Sequence, residues 1–158
     1  MTVVLRDFEP SDQVAVRELV LQGLGDHWGT IEAWRNPDLD DIAASYGDGR
    51  TLVGDDDGVV VATGTLMPRG EGIAEVVRMS VSRDARRGGL GRQVVAELVE
   101  TARSWGMGKV VLETTSAWTE VVAFYVSCGF DITHTDVTPY GEATWFEYRL
   151  QEAADAEA

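Results

Sequence analysis

Ten residues, Arg83 to Arg92, hold four arginines against one aspartate, with glycines at Gly88, Gly89 and Gly91. Arginine is a permanent cation whose donors match phosphate and carboxylate. Glycine lets backbone N–H groups approach a bound group, because no Cβ stands in the way. The chemistry this stretch offers is the holding of an anion, with phosphate or pyrophosphate the best fit. The flanking sequence supplies the elements that would aim it. Gly72–Ser82, GIAEVVRMSVS, has the apolar and β-branched content of a strand. Leu90–Trp105 places Leu90, Val94, Val95, Leu98, Val99, Ala102 and Trp105 on one helical face. A strand turning through such a loop into a helix points unpaired N–H groups and the helix dipole at the turn. The chain as a whole carries a formal charge of -14, so this cationic loop stands against its surroundings. A solvated loop with chance arginines is the plain alternative.

At 158 residues and 44% apolar, the chain reads as a single domain over residues 1–150, followed by a short acidic tail at 151–158. Apolar runs such as Val59–Ala62 are far too short to span a membrane, and the N-terminus lacks a signal-peptide pattern. A soluble cytoplasmic protein is expected. One cysteine, Cys128, and two distant histidines, His27 and His134, supply neither a disulfide framework nor metal-ligand spacing, so no metal is expected. A pI near 4.4 argues against nucleic-acid or membrane partners. It suits a cationic substrate, or simply solubility. Lys109 is the chain's single lysine against twelve arginines.

The order of elements follows from periodicity and turn chemistry. Val3–Arg6 reads as a strand. Ser11 or Asp12 caps a helix through Val14, Ala15, Leu19, Val20 and Leu24, which Gly23 and Gly25 close. Asp26–Pro37, with His27, Trp28 and Trp34, has no clean period, and Asn36-Pro37-Asp38 opens a shorter helix. Thr51–Gly54, Gly58–Met67 and Ile73–Ser82 form an antiparallel meander, turning at Asp55–Gly58 and at Pro68–Gly72. After the arginine loop and its helix, Lys109–Thr115 reads as a strand parallel to Ile73–Ser82. Glu120–Ser127 is a short helix, Phe130–Thr135 and Ala143–Leu150 are the last strands, and a loop joins those two. The fold class is α/β (α+β), with a mixed, mostly antiparallel sheet of about seven strands flanked by about four helices.

Arg86-Arg87-Gly88-Gly89-Leu90-Gly91 fits the Q/R-x-x-G-x-G/A signature of the GNAT superfamily of N-acetyltransferases, which the whole chain resembles. Ala123–Phe130, AFYVSCGF, resembles the family's A-x-x-L/F-Y-x-x-x-G-F region, and the order of elements matches. The resemblance implies acetyl-CoA as donor and a primary amine, on a small molecule or a peptide, as acceptor. A homodimer is compatible with it. Arg86, Arg87, Gly88, Gly89, Leu90, Gly91 and Arg92 would hold the pyrophosphate through backbone amides. Met79, Ser80 and Val81 would pair with the pantetheine amides, and Ser116 would bond pantetheine or cap the next helix. An alkyl ammonium must lose a proton before it attacks a thioester. Glu75 stands where the family often places its base, sharing a strand face with Val77, Met79 and Val81 unless a bulge intervenes; a raised pKa would suit that task. A salt bridge to Arg78 is its structural alternative, and Glu113 is the reserve base. Tyr125 matches the tyrosine that often protonates the leaving thiolate, or it packs in the core. A backbone N–H of Met79 or Val81 would serve the oxyanion.

Direct transfer in a ternary complex is expected, with Cys128 as a packing residue rather than an acyl carrier. Trp118 and Val121 stand where the family often has Asn and Ala, which removes a usual cofactor hydrogen bond. Gly25–Trp34, Trp118 and Thr135–Thr144 would form the acceptor pocket, with His27, Trp28, Tyr140 and Trp145 as walls suited to a cation. The competing function is a non-catalytic acyl-CoA-binding or regulatory domain. A dinucleotide-binding oxidoreductase fits poorly, because Gly89-x-Gly91 is followed by Val94 rather than a third glycine.

Overall fold

A computed structural model of the chain describes residues 2–29, 35–86 and 88–150. The expected acidic tail, together with Trp34 and Arg87, lies outside the described residues. Seven strands form a mixed sheet in the order β1-β2-β3-β4-β5-β7-β6, accompanied by four α-helices among the described residues. The α/β architecture is the one that the periodicities indicate. Two compact units make up the chain, and β3, β4 and α3 each contribute residues to both.

The first unit holds Met1–Met67 and Val77–Leu98. Its strand β1 (Val4–Asp7) pairs antiparallel with β2 (Arg50–Asp56), and β2 with β3 (Val59–Gly70). The β2–β3 turn is Asp57-Gly58, both at positive φ (50° and 90°), with Asp55 Oδ1 accepting the Gly58 N–H at 2.6 Å. Helix α1 (Gln13–Trp28) buries Val16 and Val20 against Leu39, Ile42 and Val53. It runs past Gly23 and Gly25, which do not close it; Gly29, at φ 86°, does. Gly23 serves packing instead. A Cβ there would lie 2.6 Å from Ser80 Oγ, and that hydroxyl donates to Leu19 O at 3.2 Å. The expected second helix is broken into a 3-10 turn, Pro37–Asp40, and α2 (Ile42–Ser45), because the Asp41 carboxylate caps the Ala44 N–H.

The second unit holds Pro68–Val76 and the residues from Val99 onward. The turn expected over Pro68–Gly72 contracts to Glu71-Gly72, at φ 56° and 76°, because two residues at positive φ match the twist of the flanking strands. The start of β4 (Ile73–Val81) pairs in parallel with β5 (Lys109–Thr115), from Ile73↔Lys109 to Glu75↔Val111. β5 pairs antiparallel with β7 (Gly141–Arg149), and β7 with β6 (Asp131–Thr138). The presumed loop over Thr135–Thr144 is mostly strand, turning only at Pro139-Tyr140. One face of β5 buries Val110 and Leu112. Helix α4 (Thr119–Ser127) contributes Tyr125, whose ring meets Phe130 and Phe146 at 6.0 and 5.7 Å between centroids. The opposite sheet face is open to solvent along β6.

Candidate active site

In the first unit, β4 ends at Val81 and the chain enters a 3-10 turn, Arg83–Ala85, pinned by the Ser82 N–H on Val61 O (2.8 Å) and by buried Ala85. Arg86 turns inward. Its Nε donates to Val81 O at 3.0 Å and its guanidinium meets Asp26 at 2.9 Å, while Arg83 donates to the other Asp26 oxygen. Partial desolvation pulls the Asp26 carboxyl up, but the hydrogen bonds from Arg86 and Arg83 outweigh it and hold the group below the usual carboxylate range. These two side chains therefore shape the loop. Gly89 has φ 78°, and among the described residues other than its chain neighbours no atom lies within 4 Å of where its Cβ would project; at Gly88 the nearest such atom is Ala85 O, at 3.9 Å. Leu90 then opens α3 (Leu90–Ser104), whose first amides lack intrahelical partners. Open space beside glycine backbone at a helix N-terminus fits a pyrophosphate.

Arg78, in β4, has φ 54°, a left-handed conformation that breaks the period of two between Val77 and Met79. The strict alternation from Glu75 to Val81 therefore does not carry through. Arg78 is held by Asp38 (2.9 and 2.7 Å) and by Asn36 (3.2 Å), and Tyr46 also donates to Asp38. Burial raises the Asp38 carboxyl, yet the bonds from Arg78 and Tyr46 prevail and keep it low. Beyond Arg78, the Met79 thioether packs where a side chain at Gly64 would otherwise stand, beside Val94 and Leu98.

In the second unit, Glu75 accepts from Arg69 Nε at 2.9 Å rather than from Arg78. Its register partner is Val111, two residues before Glu113, so both glutamates project from one sheet face. Glu113 is exposed, but partial desolvation, followed by the negative charges of Glu75 and Asp136, lifts its carboxyl above the usual range. Burial, with a smaller contribution from Cys128, pushes the Tyr125 hydroxyl well above an ordinary tyrosine. Ser116 Oγ is 2.7 Å from Thr144 Oγ1, and its N–H donates to Glu142 O at 2.9 Å. Trp118 takes the N-cap position of α4, through backbone rather than a side-chain bond. Tyr140 is exposed at the β6–β7 turn, whereas His27 and Trp28 belong to the last turn of α1 in the first unit.

The same face carries a groove of about 280 Å³ lined by Ile73, Lys109, Val111, His134, Trp145 and Glu147, among others. The His134 and Trp145 rings stack in parallel, 6.0 Å apart and tilted by 7°. Arg69, Asp136, Thr144 and the His134–Trp145 stack were not singled out in combination by sequence reasoning. For Thr144 and Trp145 the advance signal is alternation along β7, once its register is known. No group of three or more His, Cys, Asp or Glu suited to a metal occurs among the described residues.

The model of the acetyltransferase (GNAT) family matches residues 14–130, and the chain belongs to that family. A probable glucosamine 6-phosphate N-acetyltransferase from Oryza sativa subsp. japonica is 38% identical over 100 residues, covering 57% of this chain and 58% of that protein. The chain spans less than two thirds of the length of the curated relatives it matches. In structure, a GNAT acetyltransferase from Staphylococcus aureus Mu50 superposes with a TM-score of 0.85 at 16% identity, over 95% of this chain and all of that one. A Bacillus subtilis acetyltransferase solved in complex with CoA superposes at 0.75 and 16% identity, again over 95% of this chain and all of the other.

Proposed function

We propose that this chain transfers an acetyl group from acetyl-CoA to a primary amine, by direct attack in a ternary complex. The observation that carries the reading is the turn at Gly88–Gly89, open beside the backbone and leading into the N-terminus of α3. Such a turn binds the pyrophosphate of the donor with N–H groups and fixed dipole. The rice relative is named for an amine acceptor, glucosamine 6-phosphate, which agrees with this class of reaction.

Glu113 receives the ammonium proton, and Glu75, on the same sheet face, is the second carboxylate that draws the ammonium in. Glu113, whose proton affinity is raised, is the better acceptor at neutral pH, and Glu75 with Asp136 sustains that affinity. The freed nitrogen lone pair forms the C–N bond as the thioester C–S bond breaks. A β4 backbone N–H, from Met79 or Val81, stabilises the oxyanion. Tyr125 stays protonated at working pH; its hydroxyl gives a proton to the departing thiolate and regains one from the new amide nitrogen, which sheds its excess proton. Cys128 takes no part.

The alternative, a CoA-binding domain without turnover, draws on the Arg69 ion pair that occupies Glu75. Release of CoA thiol with a panel of amines separates the two. Thiol release that depends on amine supports acetyl transfer; saturable CoA binding with no release under any amine would leave only the binding role.

A further inference from the structure

On the open face of the β5–β7–β6 sheet, the Lys109 side of the groove and the stretch around Glu113, just past its Trp145 rim, carry opposite charge. Alternation along β5 puts Lys109, Val111 and Glu113 on this face, and the β7 register sets Arg149, Glu147 and Trp145 opposite them in turn. Past that rim, Glu113 feels the negative charges of Glu75 and Asp136, and Arg69 is ion-paired to Glu75. At the Lys109 end the balance reverses. Glu147 holds two cations, Lys109 at 3.5 Å and Arg149 at 3.0 Å, which leaves one positive charge in excess. Between them the floor is apolar, formed by Ile73 and Val111, and the parallel His134–Trp145 rings make one flat wall.

We propose that this groove seats the body of the acceptor, and that the acceptor is a small amine bearing an anionic group, carboxylate or phosphate, at its far end. The proposal rests on the acetyl-transfer reading for what happens at the amine. Glu113 takes the ammonium and Lys109 takes the anion, four residues or about 13 Å apart along the strand. Lys109 can leave Glu147 without stranding a carboxylate, because Arg149 remains bound to it. Its flexible stem lets the ammonium follow ligands of slightly different length. A groove of about 280 Å³ admits a small molecule, at the low end of ligand-site volumes.

Calorimetric binding of ε-aminocaproate, hexylamine and an aminoalkyl phosphate of equal length to the wild-type protein, Lys109→Gln and Lys109→Arg tests this directly. The anionic amines should bind about tenfold more tightly than hexylamine to wild type. That preference should vanish in Lys109→Gln and return in Lys109→Arg, which also shows that the fold is kept. Whichever anionic compound binds more tightly identifies the anion. Equal affinities for charged and neutral tails, or a preference that survives in Lys109→Gln, would overturn the proposal. Binding is read without turnover, so selective binding with no acetylation of any amine would sink the transfer reading and leave the groove assignment intact.

Discussion

At the scale of single residues, the proposed transfer turns on two groups whose proton affinity is raised, one to take a proton and one to give it. Glu113 holds its proton more tightly than a free carboxyl, because it is partly desolvated and faces Glu75 and Asp136. Its folded-state pKa is raised, so its ionisation costs stability as pH rises through that pKa. Glu113→Gln should therefore lower kcat on the order of 100-fold. It should also raise Tm at neutral pH, an advantage that disappears in acid, where the wild-type group is protonated. Calorimetry across pH, run beside the kinetic profile, checks both signs. The acid limb of kcat/KM in the wild type should lie above an ordinary carboxyl's value of about 4.3. Tyr125→Phe keeps the ring contacts with Phe130 and Phe146 while removing only the hydroxyl. Its Tm should hardly move, whereas kcat falls at least tenfold and more steeply with poorer leaving thiols. A uniform loss across thioesters would argue that Tyr125 only packs.

At the scale of elements, one strand of the sheet leaves its regular course. Arg78 adopts a left-handed conformation that costs an L-residue about 1 kcal/mol and a glycine almost nothing. Asp38 and Asn36 hold it there. Arg78→Gly and Arg78→Ala both lose that network, so their difference isolates the backbone. Arg78→Gly should be the more stable by about 1 kcal/mol in urea denaturation, and equal midpoints would mean that the strand simply straightens in the variants. The arginine–glycine loop, the α3 stripe and the β4–α3–β5 crossover were legible in the sequence, because composition and period speak locally. Asp136 was not. A register shift between Ile132 and His134 places it opposite Ala143, on the Trp145 side, whereas unbroken pairing would turn it to the Phe146 side. The Arg69–Glu75 pair was equally hidden, since it needs the Glu71-Gly72 turn to be two residues rather than five. Gly23 deceived in the other direction: helix-closing by type, it lies within α1 to make room for Ser80.

At the scale of the whole molecule, the formal charge of -14 sets conditions under which every local interaction operates. Mutual repulsion among carboxylates opposes the folded state and is screened over about 8 Å at physiological ionic strength. Raising salt from low to physiological concentration should thus increase Tm, as scanning calorimetry would register; a falling Tm would show that ion pairs such as Arg6–Asp12 outweigh the repulsion. Net charge was fully legible from composition, but its distribution was not, since only the register reveals that acidic and basic groups segregate to opposite ends of one face. Lys109, on that face, also carries the sole lysine amine of the sequence. An amine-directed fluorophore or isotopic tag therefore has a single side-chain target. Its rate of attachment would serve as a footprint of groove occupancy, readable by mass spectrometry from one peptide.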